Sequence, residues 1–262
     1  MTIDDLSLCG DARGIRVIQT QRGEVKPGDP YSQWNLCDYT GDDALRVLDA
    51  RLQLCQQLGI DLDHLVMPRQ SHTTVVKVID QDFINASIEE QDTMLENVDA
   101  LVCAVPGVCI GVNTADCVPI ALADPASGVI AIAHAGWRGT VGKIAAATVK
   151  AMVSAGANVS NITVTMGTSI CQECFEVGDE VVQEFEQKGF DMSLLTYHNA
   201  TTGKAHINLQ EANRQVLIAA GLKKENITLP LHCSRCEHTR YFSARRLGIN
   251  SGRTFMGIIK RD

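Results

Sequence analysis

Apolar positions in this chain recur with two periods, and the switch between them marks out the elements. Over 43–58 they fall at Leu45, Leu48, Leu52, Cys55 and Leu58, a spacing that predicts a helix stopped by Gly59. The stretch 141–153 repeats that spacing at Ile144, Ala145, Val149 and Met152 and runs out near Gly156. Asn208, with Glu211 three residues on, predicts a capped start for a helix over 212–220 that Gly221 ends. A fourth helix is predicted over 178–188. Short β-branched and apolar runs predict strands at 15–20, 65–70, 74–79, 100–105, 109–113, 119–123, 129–134, 162–166 and 227–231. Helices and strands mix without strict βαβ alternation, so the expectation is α/β with mixed sheets, not a doubly wound parallel sheet. No repeat, low-complexity tract or linker divides the chain, and residues 1–262 read as a single domain.

Composition narrows the function classes. A hydrophobic content of 45% supports a sizeable core. The net charge of −8 argues against nucleic acid as the main partner, because phosphate backbones call for a basic surface. The apolar stretch 100–112 is short and broken by Pro106 and Gly107, so no membrane span is expected. The N-terminal MTIDDLSLCGDARG has acidic residues where a secretory signal carries basic ones, which predicts a cytoplasmic protein. In that reducing compartment most of the ten cysteines are expected as free thiols. Cys55, Cys103 and Cys109 lie in apolar patterns, where cysteine acts as a small hydrophobe.

The most informative stretch is GVIAIAHAGWRGT, residues 128–140. A buried-strand pattern runs into a glycine-rich turn that carries His134, Trp137 and Arg138, and a helical pattern follows at once. Two other segments share this character. PRQSHTTVV puts His72 between β-rich stretches, and CIGVNTADCVPIALADP puts Asp116 and Cys117 at the end of an apolar run. Imidazole nitrogen and thiolate sulfur are donors that zinc prefers, and three protein ligands leave a fourth position for water. Each residue also has an ordinary alternative. His72 can be a surface histidine, Cys117 a buried thiol and His134 a hydrogen-bonded core residue. Asp116 is either a carboxylate orienting a ligand or a turn aspartate. Arg138, near a helix start, is either an anion contact or a surface salt bridge.

QSH, TADCVP and AHAGWRG in this order, followed by FEVGDE, CSRCEHTRYFSARR and SGRT, closely resemble the YfiH family, also labelled multicopper polyphenol oxidoreductase or laccase domain. The likeness runs from about Arg16 to the C-terminus. It implies a layered α/β/β/α arrangement and a zinc held by His72, Cys117 and His134. It also implies purine nucleoside phosphorylase activity (adenosine, inosine and methylthioadenosine) and adenosine deaminase activity. Relatives that edit peptidoglycan imply a rival, a cysteine-type hydrolase with Cys117 as nucleophile and His134 as its base. A non-catalytic zinc-binding protein is the third reading. The pattern departs from the family at TQRGEVKPG, at Gly167-Thr168 and at Thr73, where the family carries glycine after the first histidine.

The laccase label sits poorly with the chemistry. Multicopper sites use many histidines, usually with His-x-His pairs, and this chain has seven histidines and no such pair. A lone His₂Cys site with an axial Met could in principle hold blue copper, but in a cytosolic protein zinc is preferred over copper. For deamination, zinc would bring a bound water toward neutral pKa so that hydroxide attacks C6 of adenine. For phosphorolysis, phosphate attacks C1′ of the ribose, which needs an anion contact such as Arg138. The expected catalytic residues are Cys117, His134 and Arg138, and the expected partners are a purine nucleoside and phosphate. Oligomeric state is not legible.

Two CxxC pairs remain, Cys171/Cys174 and Cys233/Cys236. A tight double CxxC would signal a tetrathiolate zinc, but 58 residues intervene, far more than the loop of a zinc ribbon. HCSRCEH, with His232 and His238, offers a local metal alternative, and a redox pair is another. The expected role is reduced structural cysteines in turns.

Overall fold

The computed structural model describes residues 1–8 and 14–261. Its architecture follows from strands that carry different side chains on their two faces. The six-stranded sheet runs, edge to edge, Ile227–Thr228, Thr163–Met166, Val118–Asp124, Val129–Ala135, Ala100–Cys103 and Val76–Ile79. The outer pair at each edge is parallel and the inner pairs are antiparallel. A five-stranded sheet runs Ile3–Leu6, Ile15–Thr20, Thr254–Lys260, Cys109–Thr114 and Leu65–Val66. A small third sheet joins Glu176–Val177, Ala205–Ile207 and Thr196–His198.

Period-two alternation sorts these strands into layers. In Val129–Ala135, Ile130 and Ile132 face a core shared with Ile110, Val112, Met256 and Ile258 of the five-stranded sheet. Val129, Ala131, Ala133 and Ala135 face the opposite way, onto Ile144, Val149 and Met152 of helix Ile144–Ser154 and Val216 and Leu217 of helix Leu209–Ala219. On the far side of the five-stranded sheet, Ile18, Cys109, Phe255 and Ile259 pack against Leu54 and Leu58 of helix Ala44–Leu58. The result is helix, sheet, sheet, helix. Both central sheets are covered on both faces, which is why their strands read as nearly continuous apolar runs.

Several predicted elements shift. Helix Ala44–Leu58 forms with Asp43 as its N-cap and Gly59 as its left-handed C-cap, but its buried face is Val47, Ala50, Leu54, Cys55 and Leu58. Leu45, Leu48 and Leu52 of the predicted stripe are exposed. Two apolar stripes compete on this helix, and the one aligned with the sheet is buried. Asn208 does cap helix Leu209–Ala219, accepting from Glu211 N, while Glu211 pairs with Arg214 in place of closing a capping box. Strand Thr254–Lys260 was not among the predicted elements, although it lies between Ile15–Thr20 and Cys109–Thr114 as a fully paired central strand. Cys55, Cys103 and Cys109 are buried, and the nine described cysteines are free thiols; Cys9 lies outside the described residues.

Candidate metal centre

His134 lies one residue from the end of strand Val129–Ala135, opposite Pro119 of the neighbouring strand. Cys117 immediately precedes strand Val118–Asp124, so strand pairing alone puts these two side chains side by side. His72 arrives from outside the sheet, on the turn before strand Val76–Ile79, with its backbone in the left-handed region at φ 64°. Asp116, next to Cys117, is left-handed as well, at φ 84°. A non-glycine residue is held there only when its surroundings fix it.

For His72 that surrounding is Asp99, a fully buried carboxylate at the start of strand Ala100–Cys103. Asp99 accepts hydrogen bonds from the backbone N–H groups of Ser71, His72 and Thr73, at 3.2, 3.1 and 2.7 Å. The Thr73 hydroxyl adds another at 2.8 Å. The same carboxylate meets Nδ1 of His134 at 2.7 Å. One buried acid therefore fixes the His72 turn and the orientation of His134 together, leaving Nε2 of His134 to face Cys117.

The three donor atoms come together: Nε2 of His72 is 3.8 Å from Sγ of Cys117, and one ligand atom from each of His72, Cys117 and His134 lies within 4.8 Å of the others. Donors about 2.0–2.3 Å from a tetrahedral ion stand roughly 3.3–3.8 Å apart, so the cluster is close to metal-binding geometry. Gly136 forms its floor. A Cβ built there would lie 2.7 Å from Cδ2 of His72 and 3.0 Å from Sγ of Cys117. Only glycine leaves that space.

The electrostatics couple all three groups. Burial alone would raise the Cys117 thiol, but His134 and His72 bring it down to about 6. Burial would lower His134, yet the Cys117 thiolate and Asp99 raise it to about 9. Asp99 is held down at about 2 against its own burial by His134 and Thr73. In the absence of metal each of these shifts favours the charged form of its group: thiolate, imidazolium and carboxylate.

The other predicted residues make different contacts. Arg138 is exposed, with its guanidinium stacked 4.3 Å from the Trp137 ring centroid, and among the described residues it makes no ion pair. Trp137 is half-buried against the core of the six-stranded sheet. Asp116 does not reach either histidine; its carboxylate takes the Ser234 hydroxyl and the Arg245 backbone N–H, both at 2.7 Å. The orienting carboxylate is Asp99, which sequence reasoning missed. Its only signal was an acid at the mouth of an otherwise apolar strand, in NVDALVC. A groove of about 1020 Å³ lined by Tyr39, Met67, Arg69, Leu95 and Asn113 contains none of the three donors. The four CxxC cysteines also come together, as a second metal-competent group.

This is an α/β scaffold that brings together two imidazoles and a thiol able to hold a metal ion. Residues 16–261 match the family described as multi-copper polyphenol oxidoreductase laccase, and the chain belongs to it. It is 57% identical, over 99% of both chains, to adenosine deaminase RL5 of an unknown prokaryotic organism. It is 38% identical to a purine nucleoside phosphorylase of Bacteroides thetaiotaomicron, over 92% of this chain and 90% of that one. The crystal structure of the hypothetical protein YfiH of Bacillus licheniformis superposes with a TM-score of 0.87 at 27% identity, covering 97% of this chain and 96% of that one. No described helix is long and apolar enough to cross a membrane.

Proposed function

We propose that this chain is a zinc-dependent purine nucleoside enzyme that deaminates adenosine and cleaves adenosine, inosine and methylthioadenosine with phosphate. The observation that carries the reading is the three-donor cluster of His72, Cys117 and His134, in a chain so close to an adenosine deaminase over its full length. Two imidazoles and a thiolate at these separations, over a floor that only glycine leaves open, suit a tetrahedral ion with one position free. Two histidines and a cysteine also hold copper in blue-copper sites, so the choice of zinc rests on the expected reducing compartment, and metal analysis decides it.

A zinc held by His72, Cys117 and His134 would supply Lewis acidity and would lower the pKa of a bound water toward neutrality. The chain's residues provide the rest. Asp99 fixes which nitrogen of His134 faces the cluster and holds the turn that presents His72. Arg138, stacked on Trp137 and without an ion pair among the described residues, offers a fork of N–H donors to phosphate, which only phosphorolysis has to bind.

The test is anaerobic purification with metal analysis, then product profiling on adenosine, inosine and methylthioadenosine with and without phosphate. Inosine should form from adenosine without phosphate, and ribose 1-phosphate only with it. His72→Ala should lower bound zinc by one ion per chain and turnover by on the order of 10²-fold or more. A zinc-loaded protein that turns over no nucleoside would leave a non-catalytic zinc-binding protein.

One observation favours a second reading. A thiol lowered to about 6 beside an imidazole is also an activated nucleophile, as a cysteine hydrolase acting on peptidoglycan precursors would require. The two roles exclude each other, because a sulfur lone pair engaged by a metal is not free to attack. If Cys117 is a ligand, chelation abolishes turnover, zinc restores it, and the loaded enzyme resists iodoacetamide. If it is a nucleophile, activity survives chelation and alkylation is rapid at neutral pH. His72 favours the first, since a two-residue Cys–His site gives it no task.

A further inference from the structure

We propose that Cys171, Cys174, Cys233 and Cys236 bind a second zinc ion as a closed tetrathiolate, and that this ion braces the turn presenting Cys117. The inference stands on the cysteine cluster alone and does not depend on the nucleoside reading.

Topology brings the two pairs together. Strands Thr163–Met166 and Ile227–Thr228 are parallel neighbours, with Val164 opposite Ile227, so both chains leave the same end of the sheet in the same direction. An isolated parallel bridge between Ser169 and Cys233, with Ser234 N donating to Ser169 O at 3.1 Å, keeps them in step past the sheet. Each chain then makes its CxxC turn. The 58 residues between the pairs are taken up by the third sheet and the helices around it, and place no limit on how near the turns come.

The cluster has the properties of a structural zinc site. One Sγ from each of the four cysteines lies within 4.8 Å of the other three, and Cys174 and Cys236 approach to 3.5 Å. Sulfurs about 2.3 Å from a tetrahedral zinc stand roughly 3.8 Å apart. All four are free thiols. Donors point at the sulfurs, as they do at metal-bound thiolates: Cys171 N and Cys236 N reach Cys233 Sγ at 3.3 and 3.5 Å, and the Arg235 guanidinium reaches Cys174 Sγ at 3.4 Å. Four thiolates around a divalent ion leave a double negative charge, which Arg235 partly offsets. Four protein ligands leave no open position, so the role is architectural.

What the ion would hold is visible on Asp116. Ile170 N, one residue before the first cysteine, donates to Asp116 O at 3.0 Å. Ser234, inside the second CxxC, donates its hydroxyl to the Asp116 carboxylate, and Arg245 N donates to the other oxygen. Both arms of the cluster therefore grip the left-handed residue immediately before Cys117.

The experiment is zinc analysis and cobalt(II) substitution on the full chain, purified anaerobically, in three forms: wild type, Cys174→Ser/Cys236→Ser and His72→Ala/Cys117→Ala. The expected result is that the His72→Ala/Cys117→Ala protein keeps one zinc per chain. Its cobalt form should show the intense thiolate charge-transfer absorption of four sulfur ligands. Cys174→Ser/Cys236→Ser should lose one zinc relative to wild type and that absorption with it. If the cysteine variant does not fold, the His72→Ala/Cys117→Ala protein still decides the matter, since it leaves the tetrathiolate untouched. A folded His72→Ala/Cys117→Ala protein without zinc would overturn the proposal. So would iron at this position, or disulfides among these cysteines in the anaerobic protein. One zinc in wild type that survives His72→Ala/Cys117→Ala would support the tetrathiolate while removing the proposed catalytic centre, so the two readings can fail separately.

Discussion

Two clusters of soft donors lie on the two flanks of one short turn, and they differ in what closes them. Around His72, Cys117 and His134 the protein supplies three donors, leaves His72 exposed, and keeps the floor clear with Gly136. Around Cys171, Cys174, Cys233 and Cys236 it supplies four. The supporting contacts differ in kind too. The first cluster is organised by Asp99, a buried charge that accepts from three successive backbone N–H groups and from His134. The second is organised by parallel strand exit and by N–H groups aimed at sulfur. An open set with a charged, buried orienting partner suits chemistry on a small molecule, whereas a closed set with backbone support suits architecture. Asp116 joins them, gripped by one cluster and adjacent in sequence to a donor of the other.

The sharpest way to break this contrast is to remove the charge that organises the open cluster. Asp99→Asn should reduce zinc affinity and turnover about 10- to 100-fold, while zinc at the four cysteines is unaffected. It should also change how stability depends on pH in the metal-free protein. Asp99 is depressed to about 2, so its contribution is present above the ordinary carboxylate range and is lost as pH falls toward 2. His134 is raised to about 9, first by Cys117 and then by Asp99, so Asp99→Asn removes only the Asp99 share of a contribution that is complete below the ordinary imidazole value and lost as pH rises through 9. The stability advantage of wild type over Asp99→Asn should therefore be greatest near pH 5–6 and shrink on either side. Urea midpoints across that range measure it, and a pH-independent difference would mean that Asp99 acts through packing alone.

A smaller effect is expected from the floor. Gly136 has φ −68°, which any residue adopts, so alanine there brings no backbone strain. Its Cβ would nevertheless crowd the His72 ring and the Cys117 sulfur. Gly136→Ala should weaken zinc binding at this cluster by about tenfold, within the range seen when ligand orientation is disturbed, with little change in thermal stability. A matching loss of stability would show that the residue serves the fold and not the donors.

Much of this was legible in the sequence, and the limits are physical. The central strands and the layered α/β/β/α order followed from apolar runs and motif resemblance, because strands buried on both faces leave a strong composition signal. The three candidate donors stood out in the sequence because each is a polar residue at or near the end of an apolar or β-rich run. Asp99 was not, since its role depends on a turn nearly thirty residues earlier folding back over it, and pairing at that range leaves no local trace. The meeting of the CxxC pairs was hidden for the same reason. Their separation argued against a shared site, but spatial distance was set by the parallel pairing of two short strands, one of them only Ile227–Thr228. Helix Ala44–Leu58 shows a third limit: two apolar stripes lie on one helix, and only the sheet beneath decides which is buried.

The mildest prediction concerns Arg138, which belongs to neither cluster. Its guanidinium is exposed, stacked on Trp137 and without an ion-pair partner among the described residues, so removing it strands no buried charge. Arg138→Ala should fold as wild type does and keep both metal populations. In the proposed reactions only phosphorolysis must bind an anion, and an exposed, screened contact to phosphate contributes modestly. The expected outcome is a rise in the KM for phosphate of a few-fold, on the order of 1 kcal/mol or less of binding, while adenosine deamination measured without phosphate changes less. The stack also shields one face of Trp137, and Arg138→Lys separates the two contributions: a lysine keeps the charge but loses the planar fork and the ring contact. If Arg138→Lys restores phosphate binding, charge is what matters there. If both variants lower deamination and phosphorolysis equally, Arg138 supports Trp137 and not phosphate, and the anion contact must be sought on another element.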